Sequence, residues 1–218
     1  MPIDLPVKLT ELKQAILVMG ANVEHRVKQA TMAILNRDEA AAATVRAGDD
    51  EIDRMELDIE EECLRILALS HPVAGDLRFV LAVMRINSEL ERIADLARSI
   101  AKRAQDLQRM ETLSFPPGLK LMAEETRGML SGVLTALSDQ DADFARRIRL
   151  ADDRVDDLLK EIFAWIQEEI PRHVEHTEQA IDVLSVARKL ERIADLATNM
   201  AEEVIFLIEG EIVRHSPG

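Results

Sequence analysis

Glu89-Leu-Glu-Arg-Ile-Ala-Asp95-Leu-Ala recurs as Lys189-Leu-Glu-Arg-Ile-Ala-Asp195-Leu-Ala, an offset of 100 residues, and this repetition decides the fold. Upstream, Asp49-Asp-Glu-Ile-Asp53 returns as Asp152-Asp-Arg-Val-Asp156 at an offset of 103, where Met19 also falls on Met122 and Asp38 on Asp141. Ordered matches at nearly equal offsets mark an internal duplication. The second copy has lost three residues between its two landmarks.

Around the repeated motif the apolar residues are spaced three-four-three-four. Leu90, Ile93, Ala97, Ile100, Ala104 and Leu107 form one stripe, and Leu190, Ile193, Ala197, Met200, Val204 and Leu207 repeat it. Such spacing aligns side chains along a single helix face and is read as core packing. The composition agrees, with 8 Gly, 7 Pro, no Tyr and 3% aromatic residues in 218, which favours helix and disfavours a β sandwich or barrel. The expected fold is all-α, two tandem similar three-helix bundles, with repeats at 1–113 and 114–218.

In the first repeat one helix is expected from about Lys8 to Arg46, interrupted near Asn36-Arg37-Asp38 and closed by Gly48. A second runs from Asp49 to about Leu69, stopped by Ser70-His71-Pro72, and a third from about Val73 to Arg109. Asp76, just inside the third, suits the positive end of the helix dipole. Ser114-Phe-Pro-Pro-Gly118 is the expected linker, because paired prolines stop a helix. The second repeat then runs to about Gly210, with its hairpin tip at Pro171-Arg172-His173.

Folding each hairpin about its turn places carboxylates level with one another. Asp49 and Asp95 are equidistant from Pro72, as are Asp53 and Glu91. In the second repeat Asp152 pairs with Asp195, and Asp156 with Glu191, about His173-Val174. The deletion is expected to shorten both arms together, a register that a merely solvated acidic face has no reason to keep. Four such carboxylates stay ionised only if spread into water, paired with Arg or Lys, or bridged by a cation. Oxygen donors suit magnesium, manganese or iron. None of the five histidines sits beside these acids at helical spacing, which disfavours a ferritin-type di-iron site. The single cysteine, Cys63, rules out a structural zinc cage and any internal disulfide. Arg98 and Lys102 follow the first motif, whereas Thr198, Asn199 and Glu202 follow the second. The second site therefore lacks built-in cations and is the stronger candidate for metal. Arg92 and Arg192 are expected to make interhelix salt bridges.

A net charge of −14 repels nucleic acid phosphates and anionic lipid heads, so neither is expected as a partner. No secretory signal or stretch of roughly 20 apolar residues is visible, which points to the cytoplasm and to no direct membrane insertion. No nucleophile–base pair stands out, so the chain is read as a non-enzyme. A carboxylate-bridged metal-dependent enzyme and a metal buffer are the rival readings.

His71-Pro-Val-Ala-Gly-Asp-Leu-Arg78, followed by Leu90-Glu-Arg-Ile-Ala-Asp95 and by Leu190-Glu-Arg-Ile-Ala-Asp195-Leu-Ala-Thr-Asn-Met-Ala-Glu202, resembles the PhoU family across essentially the whole chain. The resemblance implies paired three-helix bundles, commonly a homodimer, with multinuclear iron, zinc or other metal held on repeated acidic motifs. By match to those motifs the metal residues are Asp49, Asp53, Glu91 and Asp95, then Asp152, Asp156, Glu191 and Asp195, with Asn199 and Glu202 following. The family usually writes Gly-Asp-His where this chain has Ala94-Asp95-Leu96 and Ala194-Asp195-Leu196, so that histidine's role is absent here. The resemblance also implies a negative regulator of phosphate uptake, acting with the ATPase of the Pst phosphate transporter and a PhoR-type sensor kinase.

Overall fold

The computed structural model describes residues 4–47, 49–108, 114–211 and 213, without the side chains of 46, 47, 49 and 105–108. The described chain is helical throughout: α1 (Leu5–Asn36), α2 (Glu39–Ala47), α3 (Asp49–Ser70), α4 (Ala74–Gln108), α5 (Pro117–Asp139), α6 (Ala142–Arg172) and α7 (Thr177–Glu209), with one 3-10 turn (Val174–His176) before α7. The first bundle is α1, the arm formed by α2 and α3, and α4. The second is α5, α6 and α7.

Each seam residue of α7 is buried, from Leu190 and Ile193 to Val204 and Leu207. Leu90, Ile93, Ala97, Ile100 and Ala104 are buried in α4, while the Leu107 side chain lies outside the described residues. Burying one such Leu or Ile side chain contributes about 1.5–3 kcal/mol, so these stripes hold the bundles together. α4 also packs against α7, and α1 against α5, joining the bundles through one continuous core. Two ion pairs cross the α4–α7 contact, Arg85 Nη1 to Glu203 Oε2 at 2.9 Å and Arg103 Nη1 to Asp182 Oδ1 at 3.1 Å. They fix these helices antiparallel, with the repeated motifs near mid-length.

The turn between α1 and α2 falls at the expected interruption, Asn36-Arg37-Asp38, and α2 starts the second arm. Arg37 adopts a left-handed conformation (φ 54°, ψ 44°) and closes α1, and Asp38 Oδ1 accepts from the Ala41 N–H at 3.0 Å to start α2. Gln140 (φ 54°) and Asp141 repeat the device, Asp141 Oδ1 accepting from the Phe144 N–H at 2.8 Å. Neither turn has a glycine to announce it. Gly48, expected to close the first arm, lies outside the described residues. Its counterpart Ala151 sits within an unbroken α6, and α2 already belongs to the second arm. In the second repeat the helix of that arm runs unbroken from Ala142, before the acidic motif begins.

The hairpin tips agree with the sequence signals. α3 ends at Ser70 and α4 begins at Ala74. In the second hairpin Pro171 is tolerated in the last turn of α6, and the 3-10 turn precedes α7. The shortening is uneven: relative to the acidic motifs, α7 loses more α-helix than α6. The 3-10 turn, rising about 2.0 Å per residue instead of 1.5 Å, makes up part of the height.

Candidate acidic sites on the two hairpins

Both hairpins bring acidic groups from opposite arms into electrostatic contact. In the second, burial raises the Asp152 carboxyl from 3.8 to about 6, reinforced by Asp195, Asp156, Glu191 and Asp153. Burial also raises Glu191, followed by repulsion from Asp195 and Asp156. The four residues expected to meet across α6 and α7 therefore feel one another's charge, and all four are partly buried.

The first cluster is wetter. Asp53 and Asp95 are exposed and Glu91 is partly buried. Glu91 is raised first by burial, then by Asp95, Glu56 and Asp53. Glu56 is an addition to the expected set. It lies three residues after Asp53, the spacing that puts both on one helix face. Glu56 is itself raised by burial, Glu60 and Asp53. The Asp49 side chain lies outside the described residues.

Cations are distributed differently from the sequence reading. Arg98 pairs with Asp95 at 2.5 Å, as a built-in cation of the first site. The second site does have cations: Arg192 Nη1 reaches Asp195 Oδ2 at 3.2 Å, and Arg149 Nε of α6 reaches Glu202 Oε1 at 3.4 Å. Arg149 precedes Asp152 by three residues and so shares its face, a signal available in the sequence. Glu202 is consequently occupied by Arg149 and is not among the carboxylates acting on Asp152 or Glu191, while Asn199 is exposed. Arg92 and Arg192 bond within their own helices, Arg92 to Glu89 at 3.4 Å, instead of bridging to another helix. Three-residue spacing supplies a nearer carboxylate than any neighbouring helix does.

Do these residues suit a metal? Asp152 lines a hollow of about 530 Å³ with Arg146, Arg149, Leu150, Asp153 and Thr198. The Thr198 hydroxyl is buried there without a hydrogen-bond partner. An unpartnered oxygen beside a carboxylate that resists ionisation fits an oxygen-ligated cation. The acidic side chains stand apart, as like charges do. Among the described residues, three ligand atoms lie within 4.8 Å of one another at one place only: Glu169, His173 and His176, at the tip of the second hairpin. The sequence reading weighed histidines only against the acidic motifs and missed this group, whose spacing of four and three residues was its signal.

Among the described residues no helix is long and apolar enough to cross a membrane. The PhoU domain model matches residues 16–104 and again 119–204. The chain is 36% identical over 215 residues to the phosphate-specific transport system accessory protein PhoU homolog of Pseudomonas putida, covering 95% of this chain and 82% of that protein. It is 31% identical to the Escherichia coli K12 accessory protein PhoU over 97% of this chain and 88% of the relative. The crystal structure of PhoU from Pseudomonas aeruginosa superposes with a TM-score of 0.90 at 32% identity, covering 95% of this chain and all of that one. The phosphate transport system regulatory protein PhoU from Streptococcus pneumoniae gives 0.88 at 29% identity, over 96% and 99% of the two chains. These relatives carry the names of accessory and regulatory proteins, not of enzymes. With two matched domains and near full-length relatives, the chain belongs to the PhoU family.

Proposed function

We propose that this chain is a cytoplasmic negative regulator of phosphate uptake. In this reading it works with the ATPase of a Pst-type transporter and a PhoR-type sensor kinase, as a homodimer of chains with repeats at 1–113 and 114–218. Likeness to named phosphate transport accessory proteins along almost the whole chain carries the regulatory reading. An acidic surface, with net charge −14, suits docking on a basic cytoplasmic face of such partners.

We infer that the carboxylate clusters hold a divalent or multinuclear metal, magnesium, manganese, iron or zinc. Asp152, Asp156, Glu191 and Asp195 would hold it in the second repeat, with Asn199 and Glu202 alongside. Asp49, Asp53, Glu91 and Asp95 would do so in the first. The observation that supports this is the Asp152 carboxyl, raised to about 6 by burial and three cluster carboxylates. A bound cation supplies positive charge that relieves this repulsion and ties the two arms of a hairpin together. Each cluster has one aspartate paired with arginine, Asp95 with Arg98 and Asp195 with Arg192, but the second cluster is more buried and raises Asp152 further, so it takes manganese or iron more tightly. Glu191→Ala should cost more bound metal than Glu91→Ala; equal losses contradict this ordering.

The regulatory test is genetic. Deleting the gene should derepress phosphate-regulon expression in rich phosphate, and the wild-type chain should restore repression. Absence of derepression would sink the assignment. Full rescue by a chain with all eight motif carboxylates changed to Asn or Gln would detach the acids from regulation.

A further inference from the structure

The tip of the second hairpin carries a different donor set from the acidic faces. Glu169 and His173 occupy one face of the end of α6, four residues apart, and the 3-10 turn lifts His176 back over them. The backbone holds this arrangement firmly: the His173 N–H donates to Glu169 O at 3.0 Å, and the His176 N–H donates to His173 O at 2.9 Å. The imidazole rings stack with centroids 5.4 Å apart and planes 30° apart.

Three side-chain atoms converge. Glu169 Oε1 lies 4.0 Å from His173 Nε2 and 3.8 Å from His176 Nδ1, and all three fall within 4.8 Å. These gaps are too long for hydrogen bonds. A tetrahedral ion with bonds of about 2.1 Å holds its ligands roughly 3.3–3.4 Å apart, so the two gaps to Glu169 close by about half an ångström and the gap between the imidazoles, bounded by 4.8 Å, by at most about 1.4 Å, within reach of side-chain rotation. His176 Nδ1 is shielded from water and has no hydrogen-bond partner. Glu169 is 19% and His176 21% exposed, against 48% for His173, so the donors sit at the rim of the bundle with one open side.

The outer contacts match as well. His173 Nδ1 faces Glu175 Oε1 at 3.3 Å. Donation from Nδ1–H to that carboxylate fixes the tautomer and leaves the Nε2 lone pair aimed at Glu169, the arrangement in which metal-ligating histidines are held. Glu168 is occupied by Arg172 at 3.3 Å and does not compete. Two carboxylates, Glu169 and Glu175, with no ion pair to lysine or arginine among the described residues, leave room for a doubly charged ion.

We propose that Glu169 Oε1, His173 Nε2 and His176 Nδ1 bind a divalent transition ion of the zinc or cobalt type, with Glu175 orienting His173. Mixed imidazole and carboxylate donors select such ions over magnesium. Three protein ligands leave a fourth position for water or a donor from a docked partner. The site ties the end of α6 to the start of α7, and it has no counterpart at the first tip, where His71 is the one histidine in Ser70–Ala74.

The test is zinc titration of the metal-stripped full chain against a chromophoric chelator at pH 7.5. Wild type should bind one zinc equivalent more than the His173→Ala/His176→Ala chain. Glu175→Gln should weaken that equivalent about tenfold, the effect of losing an orienting partner. Cobalt should give visible absorption that the double variant loses, and circular dichroism should show unchanged helix content in both. The equivalent should survive His71→Ala and also Asp152→Asn/Asp156→Asn/Glu191→Gln/Asp195→Asn, which separates this site from the acidic clusters. Equal zinc binding by wild type and the double-histidine variant overturns the proposal. So does loss of the equivalent in the acidic variant alone, or a double-histidine phenotype confined to stability below pH 6, which would make the trio simple imidazolium–carboxylate pairs.

Discussion

Asp152→Asn should stabilise the metal-free protein at neutral pH, although it removes a residue of the proposed binding site. The folded-state carboxyl is raised from 3.8 to about 6 by burial, Asp195, Asp156 and Glu191. Between those values the folded chain holds a proton that the unfolded chain has released. The stability associated with that proton is complete below about pH 3.8 and is lost as pH rises through about 6. At about 1.4 kcal/mol per pH unit, the full penalty would be about 3 kcal/mol. Asp152 is only partly buried, and solvent screening reduces this to about 1 kcal/mol. Asn keeps the shape and carries no charge. Urea denaturation in chelator should therefore show equal stability of wild type and variant near pH 4. The variant should be about 1 kcal/mol more stable near pH 7. Added manganese should reverse the order, because it binds the folded wild type and stabilises by mass action. A variant no more stable than wild type at pH 7 in chelator would refute the electrostatic reasoning. A metal response that survives the substitution would refute the role of Asp152 in binding.

Asp141→Ala removes the acceptor for the Phe144 N–H and should cost about 1 kcal/mol in chemical denaturation, with Asp38→Ala similar. Gly20 in α1 faces Leu134 of α5, so Gly20→Leu should overpack the bundle contact and lower stability by about 1–3 kcal/mol, measured as a fall in urea midpoint. Cys63 is fully buried and burial, Glu62 and Glu60 push its thiol up to about 12, so a thiol reagent should label the folded chain only at the rate at which it opens. Rapid stoichiometric labelling in native buffer would contradict that packing.

The fold was readable because its main signals are long and redundant. The stripes of α4 and α7 run over several turns, and the duplication states the same pattern twice. Proline marked the ends of α3 and the start of α5. The turn after α1 was harder, since its left-handed residue is Arg37 in one copy and Gln140 in the other. Gly48 itself lies outside the described residues, and the flanking helices end at Ala47 and begin at Asp49, the start expected for the next helix. At the sites, chain separation and helix rise were enough to bring Asp156 to Glu191 and Asp152 to Asp195. They could not say which arginines would turn toward which acids. Arg149 finds Glu202 across α6 and α7, whereas Arg92 and Arg192 settle on carboxylates three residues away. The trio of Glu169, His173 and His176 was missed for another reason: its four-and-three spacing was visible, but histidines were weighed only against the acidic motifs, and the trio crosses from α6 into the 3-10 turn.

The two repeats keep the level of their acidic motifs while differing in how charge is balanced there. Asp95 is 51% exposed and held by Arg98 from the next turn, so water and one cation already meet its charge. Asp195 is 34% exposed, and Arg192 is its partner, on the turn before. Arg149 of α6 adds an ion pair with Glu202 across the hairpin. Among the described motif acids the Asp152 carboxyl moves furthest from its ordinary value, raised first by burial and then by Asp195, Asp156 and Glu191. Sequence spacing alone would make the sites equal, because the motif residues are equidistant from the turn in both repeats. The difference comes from burial, greater at the second cluster, and from the added α6 arginine, Arg149, that pairs with Glu202, and these turn a symmetric duplication into two chemically distinct faces.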